Sequence, residues 1–206
     1  LFILLLSLSS FIFSQTFVNP GDGTLSEAIL NAADGDILLL QSGAEYTETT
    51  NAVFGNLDKS LTIQVDGDDT ADRAILKILN TDLESDNKYF YLSDGSALTL
   101  RGIEFDGSLD GVPSSINLLQ FDAGEIADET NIGTIRIENC YVHDLVEDVI
   151  NGGSSSLTGW VTVDSIYIDN SIMHDTHTIV YTKYVAVRFL SITNSTFYNG
   201  NSYGVR

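Results

Sequence analysis

Two His–Asp pairs, His143-Asp144 and His174-Asp175, stand 31 residues apart in matching surroundings, "YVHD" and "IMHD". Imidazole changes charge near neutrality, so such a pair can relay a proton or ligate a metal. Glu147 and Asp148 follow the first pair closely, and with Asp144 and Asp175 they make a candidate carboxylate set for a cation. A repeated polar turn accounts for the same spacing. Lys183 and Arg188 lie close together in a chain with only nine basic residues. A lysine can act as a base and a guanidinium can neutralise a carboxylate; a pair of solvated surface charges is the plainer reading. Asp66, Asp68, Asp69 and Asp72 crowd into "DGDDTADRA". Close carboxylates can bind Ca²⁺, but the glycine and terminal glutamate of an EF-hand loop are missing, so this run reads as a solvated loop.

The His–Asp pairs recur because the phrase around them recurs. "IRIENCYVHD" starts at Ile135, "IYIDNSIMHD" at Ile166 and "LSITNSTFYN" at Leu190, with a fainter copy, "LTLRGIEFDG", from Leu98. The starts are 37, 31 and 24 residues apart. The last copy replaces the pair by Tyr198-Asn199. Repetition at such intervals predicts a stacked architecture. Val161 and Val163 precede Ile166 as Val185 and Val187 precede Leu190, with Asp164-Ser165 and Arg188-Phe189 as two-residue bends between. Val149-Ile150 and Ile179-Val180 supply a further short run per repeat. Each repeat is therefore predicted to hold three short strands, one coil of a parallel β-helix. Ile135, Ile166 and Leu190 would then form one inward ladder, and Ile137, Ile168 and Ile192 the next. Asn139, Asn170 and Asn194 would stack as an asparagine ladder at a sharp bend, where a left-handed backbone suits Asn. Gly102 takes that place in the faint copy.

Upstream, Thr24 and Glu27 have capping-box spacing. Leu25, Ala28, Ile29 and Ala32 share one face of a helix of roughly nine residues, stopped near Asp34-Gly35. Such a helix would cover the open end of the stack. Residues 1–15 read as a secretory signal peptide whose start is cut off, 16–36 as the cap, and 37–206 as coils that continue past the last residue. The expected fold is thus all-β: a right-handed, single-stranded parallel β-helix with a short N-terminal capping helix, exported, with no stable membrane span once the leader is removed. The net charge of −20, from 29 acidic against nine basic residues, argues against nucleic acid as a partner. It reads as solubility and is compatible with bound divalent cations. Cys140 is the only cysteine; it excludes an intrachain disulfide and reads as packing.

The segments "DGDILLLQSGAEY" after the helix, "ALTLRGIEFDG" and "NSTFYN" resemble the pectin-lyase-like superfamily of right-handed parallel β-helices. Within it the chain is similar to exported polysaccharide lyases of the chondroitinase-B and alginate-lyase type, and to related uncharacterised β-helix families of Bacteroidota. The resemblance implies an acidic polysaccharide or cell-surface glycan as partner. It implies β-elimination next to a uronate carboxylate, with a lysine base, an arginine, and calcium held by Asn and Glu on adjacent coils. Lys183, Arg188, His143 and His174 are the candidates for such chemistry here. A non-catalytic carbohydrate-binding or adhesion module, or a purely structural segment, would share the fold.

Overall fold

Aliphatic residues two apart in an extended segment point the same way. Each phrase therefore offers one apolar edge and two rows of unpaired backbone groups, and another copy laid alongside satisfies both. In the computed structural model, the described residues are 14–51, 53–67, 72–79, 87–122, 129–152, 160–183 and 185–206. The apolar run 1–13, Asp68 and Asp69 fall outside them. Three parallel sheets run the length of the stack. The first comprises Gln15–Val18, Ile37–Leu40, Ser60–Val65, Ala97–Arg101, Glu129–Glu138, Trp160–Asp169 and Val185–Thr193. The second comprises Gly21–Asp22, Glu45–Glu48, Ala74–Ile78, Ile103–Asp106, Tyr141–His143, Ile172–His174 and Thr196–Tyr198. The third comprises Gly55–Leu57, Asn87–Leu92, Ile116–Phe121, Ile150–Asn151 and Val180–Tyr181. The chain visits them in turn, one strand each per coil, except that Thr24–Asn31 in the first coil and a single bridge at Val205 in the last stand where a third-sheet strand would be.

The expected ladders form and extend further than the phrase. Ile63, Leu100, Ile137, Ile168 and Ile192 pair in register in the first sheet, with Leu38 below them. Leu61, Leu98, Ile135, Ile166 and Leu190 form the parallel row. The second sheet contributes Tyr46, Leu76, Phe105, Val142, Met173 and Phe197 to the same core. Cys140 is fully buried and burial pushes its thiol up to about 12, so it packs and does not react.

Left-handed residues turn the corner between the first two sheets. Asn139, Asn170 and Asn194 have φ of 55°, 48° and 50°, and Gly102 has 68°. The amide ladder is only partly made. Asn170 donates to the Asn139 side chain, whereas Asn194 donates to the Asp169 carboxylate at 3.0 Å. Serine finishes the corner: Ser171 Oγ accepts from Cys140 N–H and Ser195 Oγ from Ser171 N–H, both at 3.1 Å. A second row of left-handed residues, Asp144, Asp175 and Asn199, with φ of 59°, 52° and 52°, turns the chain out of the second sheet. The two-residue bends at Asp164-Ser165 and Arg188-Phe189 do not break the strands. Trp160–Asp169 and Val185–Thr193 are each continuous. Across Asp164 the register holds, with Ile132↔Val163 and Thr134↔Ser165 in step, and what slips is the phase of burial: Ser165 and Ile166 are both buried.

The helix, Thr24–Asn31, lays Leu25 and Ile29 on the first coil. Its start is not a capping box. Gly23, with φ of 68°, is the N-cap, no side chain caps it, and Thr24 Oγ1 turns back to the Gly21 carbonyl. Its end is held from outside: Lys59 Nζ donates to Ala32 O at 2.8 Å and also reaches Ile29 O and Leu30 O, a cation where the helix dipole is negative.

The left-handed corner predicts a substitution pattern. Asn170→Ala should cost about 1–2 kcal/mol, and Asn170→Gly distinctly less, in urea unfolding followed by far-UV circular dichroism. Equal losses in the two variants would remove the backbone account of the corner.

Candidate functional site

Residues that alternate with the core ladder point outward, and the parallel register stacks them coil on coil. On the second sheet Asp106, His143, His174 and Tyr198 are cross-strand partners in succession. Lys77, one position beyond the Leu76↔Phe105 pair, continues that line. Glu104 and Tyr141 form part of the neighbouring line. The rings of His143 and His174 stack at 5.6 Å and 13°, and those of His174 and Tyr198 at 4.5 Å and 14°. Tyr141 leans on both imidazoles, at 4.7 and 5.2 Å.

Two kinds of hydrogen-bonded unit share this face. The first is charged. Lys77 Nζ lies 3.1 Å from Asp106 and 3.3 Å from Glu45. Burial pulls the ammonium pKa down, but bonds to Asp106 and Glu45 outweigh it and the net shift is upward. His143 holds Asp144 through Nδ1 at 2.7 Å and Glu104 through Nε2 at 3.3 Å. Burial opposes its charge, yet those two bonds and the nearby Asp106 carboxylate carry it up to about 9, so the ring is an imidazolium at neutral pH. The second unit is a relay. Asp175 accepts from His174 Nδ1, which leaves Nε2 to accept the Tyr141 hydroxyl proton at 2.7 Å. Burial, then the neighbouring Tyr198 and Glu104, raises the Tyr141 phenol above its ordinary value, so the resting proton stays on the oxygen. The Arg73 guanidinium, fixed by Nε donating to Asn139 O at 2.8 Å, sits 6.0 Å from the Tyr141 ring centre. The arrangement can pass a proton from Tyr141 to His174, with Asp175 steadying the charge that results.

The structure brings together His143 and His174, as the repeat implies, each with the Asp that follows it. Asp144 and Asp175 are at once the left-handed turn residues of their coils. Glu147 and Asp148 work elsewhere: Glu147 accepts from Ser115 at 2.8 Å, and buried Asp148 bonds His177 Nδ1 at 2.9 Å. Lys183 lies in the turn between Val180–Tyr181 and Val185–Thr193. Arg188 is within the latter strand, on the first sheet, two-thirds exposed and 3.8 Å from Asp164. Neither basic residue is on the stacked second-sheet face. Asp106, His143 and Asp144 each offer a ligand atom within 4.8 Å of the others. They are a poor match for calcium. One of the three is an imidazole held protonated, and Asp106 already receives Ser108 and Lys77, whereas calcium asks for free oxygen ligands. Asp66 and Asp72 are exposed loop residues. Tyr141, Glu104, Asp106, Lys77 and Arg73 are absent from the sequence-based candidates. Aligning "IEFD" with "CYVH" position by position would have placed Asp106 beside His143. Among the described residues no helix is long and apolar enough to cross a membrane.

The charge on His143 sets a pH dependence. Its folded pKa, about 9, lies above the ordinary 6.5. The stabilisation it brings is complete below the ordinary value and is lost as pH rises through the folded one. The melting temperature of the wild type minus that of His143→Gln should therefore shrink between about pH 7 and pH 10. Parallel melting curves across that range would show that the imidazolium contributes nothing.

No curated protein matches the chain by sequence. Among solved structures it is similar to the PL6 family alginate lyase AlyGC, with a TM-score of 0.66 and 22% identity over 89% of this chain and 24% of that one. An arginine-to-alanine mutant of that enzyme superposes with a TM-score of 0.63 and 21% identity over the same shares. The chain thus spans about a quarter of that lyase's length, and the likeness bears out the parallel β-helix as its fold. A model of the family described as a domain of unknown function, DUF4957, matches residues 44–200, and the chain belongs to that family.

Proposed function

We propose that the protein acts outside the cytoplasm on a polysaccharide laid along the outward face of the second sheet, and that it cleaves a uronate-containing chain by β-elimination. The observation that carries this reading is the Tyr141–His174–Asp175 relay set among stacked rings. Aromatic faces suit sugar rings, and the relay supplies the proton traffic that elimination needs. Tyr141 gives its proton to His174 Nε2, and the phenolate oxygen takes the proton from the carbon beside the uronate carboxylate. The electron pair left behind forms the new double bond as the bond to the leaving oxygen breaks, and that oxygen takes the proton held on His174. Arg73 and the His143 imidazolium lie beside Tyr141 and favour the transient phenolate. Lys77 and His143, each bound to carboxylates, act as fixed cations and not as bases. Calcium, which the resemblance implies, has no matching ligand set in the Asp106–His143–Asp144 group, and no step runs through it.

A second reading, binding without cleavage, is favoured by one feature: the cations on this face are already matched by Glu45, Glu104, Asp106 and Asp144. Incubation with alginate, pectate and chondroitin, read by absorbance of the new double bond, separates the two. Tyr141→Phe and His174→Gln should each lower turnover at least about a hundredfold while leaving retention in affinity gels unchanged. Retention with no product from the wild type would decide for the binding module. Neither retention nor product on any glycan would remove both.

A further inference from the structure

The outer face of the first sheet carries cations that the relay does not use. Register sets Thr62, Thr99, Arg136 and Tyr167 in one outward row, and Gln64, Arg101 and Glu138 in the next. The strands Ile37–Leu40, Ser60–Val65 and Ala97–Arg101 bring no carboxylate to this face, in a chain of net charge −20. Arg136 and Arg101 both lie inside the sheet, with a strand on either side. Glu138 faces two arginines and satisfies one of them. Its Oε2 accepts from Arg101 Nε at 2.9 Å and from Arg101 Nη2 at 2.6 Å. Arg136 Nη1 stands 3.7 Å from Oε1, too far for a hydrogen bond.

Among the described residues no hydrogen bond reaches the Arg136 guanidinium, which rests 4.2 Å over the Tyr167 ring instead. Its side chain is 41% exposed. A guanidinium held by its face keeps its N–H fork open, and that fork matches the two oxygens of a carboxylate. Two arginines against one glutamate also leave the patch with one positive charge in excess. The cations of the second sheet differ, since Lys77 and His143 are each bonded to carboxylates. We propose that the Arg136–Arg101 patch is a second binding site for an acidic glycan: a uronate carboxylate takes the Arg136 fork, Arg101 adds to the attraction, and Thr99 and Gln64 meet ring hydroxyls. Nothing at this site can move a proton, so it holds the chain and does not cut it. The class of ligand rests on the polysaccharide reading above, whereas the site and its residues are separate from the relay.

Calorimetric titration with hexauronates prepared from alginate and from pectate tests this, in a Tyr141→Phe background that spares the ligand from cleavage. Folding of each variant is checked by circular dichroism. Two binding events are expected. Adding Arg136→Gln should weaken one of them about tenfold. Arg136→Lys keeps the charge without the fork and should recover only part of that loss. Glu138→Gln should strengthen the same event about two- to fivefold, a gain that no misfolded variant gives. If Arg136→Gln changes no event, or Arg136→Lys restores binding in full, the site is wrong and the second-sheet reading stands. A single event that does depend on Arg136 would keep the site and remove binding on the second sheet. If neither hexauronate binds, both fall together.

Discussion

The parallel hydrogen-bonded contact of one coil with the next governs everything else in this molecule. Strands stacked at about 4.8 Å place each residue directly above its counterpart, so a choice made at one position is tested against its neighbours along the axis. Inward, this demands aliphatic or aromatic residues at every rung, as the row from Ile63 to Ile192 supplies. At the corners it demands the same rare backbone conformation coil after coil, met by Asn139, Asn170 and Asn194 and again by Asp144, Asp175 and Asn199. Where a turn residue must also pass close to the next coil, only glycine serves: a Cβ on Gly107 would stand 2.6 Å from Asp144 O.

Outward, the same contact turns sequence repetition into chemistry. Side chains far apart in the chain are pressed together because they share a rung. In a chain of net charge −20 this would stack carboxylates on one another. The second sheet avoids that by placing Lys77 and a protonated His143 between Glu45, Glu104, Asp106 and Asp144. His174, one rung on, has a different set of partners, an Asp on one nitrogen and a phenol on the other. Two histidines at identical repeat positions thus take different tasks, because Glu104 faces the first and Tyr141 reaches the second.

The inner half of this structure was legible in the sequence because stacking forces inner residues to repeat. The ladder of Ile and Leu, the left-handed Asn corner and the helix face of Leu25 and Ile29 could all be read from spacing; three strands per coil was the right number reached with the wrong strands, since Val161 and Ile166 share one strand and Ile172–His174 is a strand of its own. The outer half was not, because outward positions are free to differ between coils. Tyr141 corresponds to Ile172 and Thr196, so no repeat flagged it, and Lys77 sits in an otherwise aliphatic run. Lys183 and Arg188 drew notice through rarity, a property of composition that carries no information about which face a residue occupies. The bend assigned to Asp164-Ser165 failed for a related reason: a slip of phase inside one strand and a true corner leave the same interruption in the alternation of apolar residues. The capping box failed because Gly23 already provides the left-handed turn that opens the helix.

The first sheet shows why the stacked rings of the second are set apart as a site. It too lines up charged and aromatic residues on its outer surface. Arg136 lies 4.2 Å over the Tyr167 ring, Tyr167 meets Phe189 at 5.5 Å, and Arg101 holds Glu138. Those contacts join permanent charges to ring faces and to a partly buried carboxylate, and they have nothing to transfer. On the second sheet the contact between coils is itself a proton donor meeting an acceptor, Tyr141 against His174, with a carboxylate behind the acceptor. The same stacking rule gives an inert surface where the rung pairs Arg with Tyr, and a surface able to move a proton where it sets Tyr against a His backed by Asp.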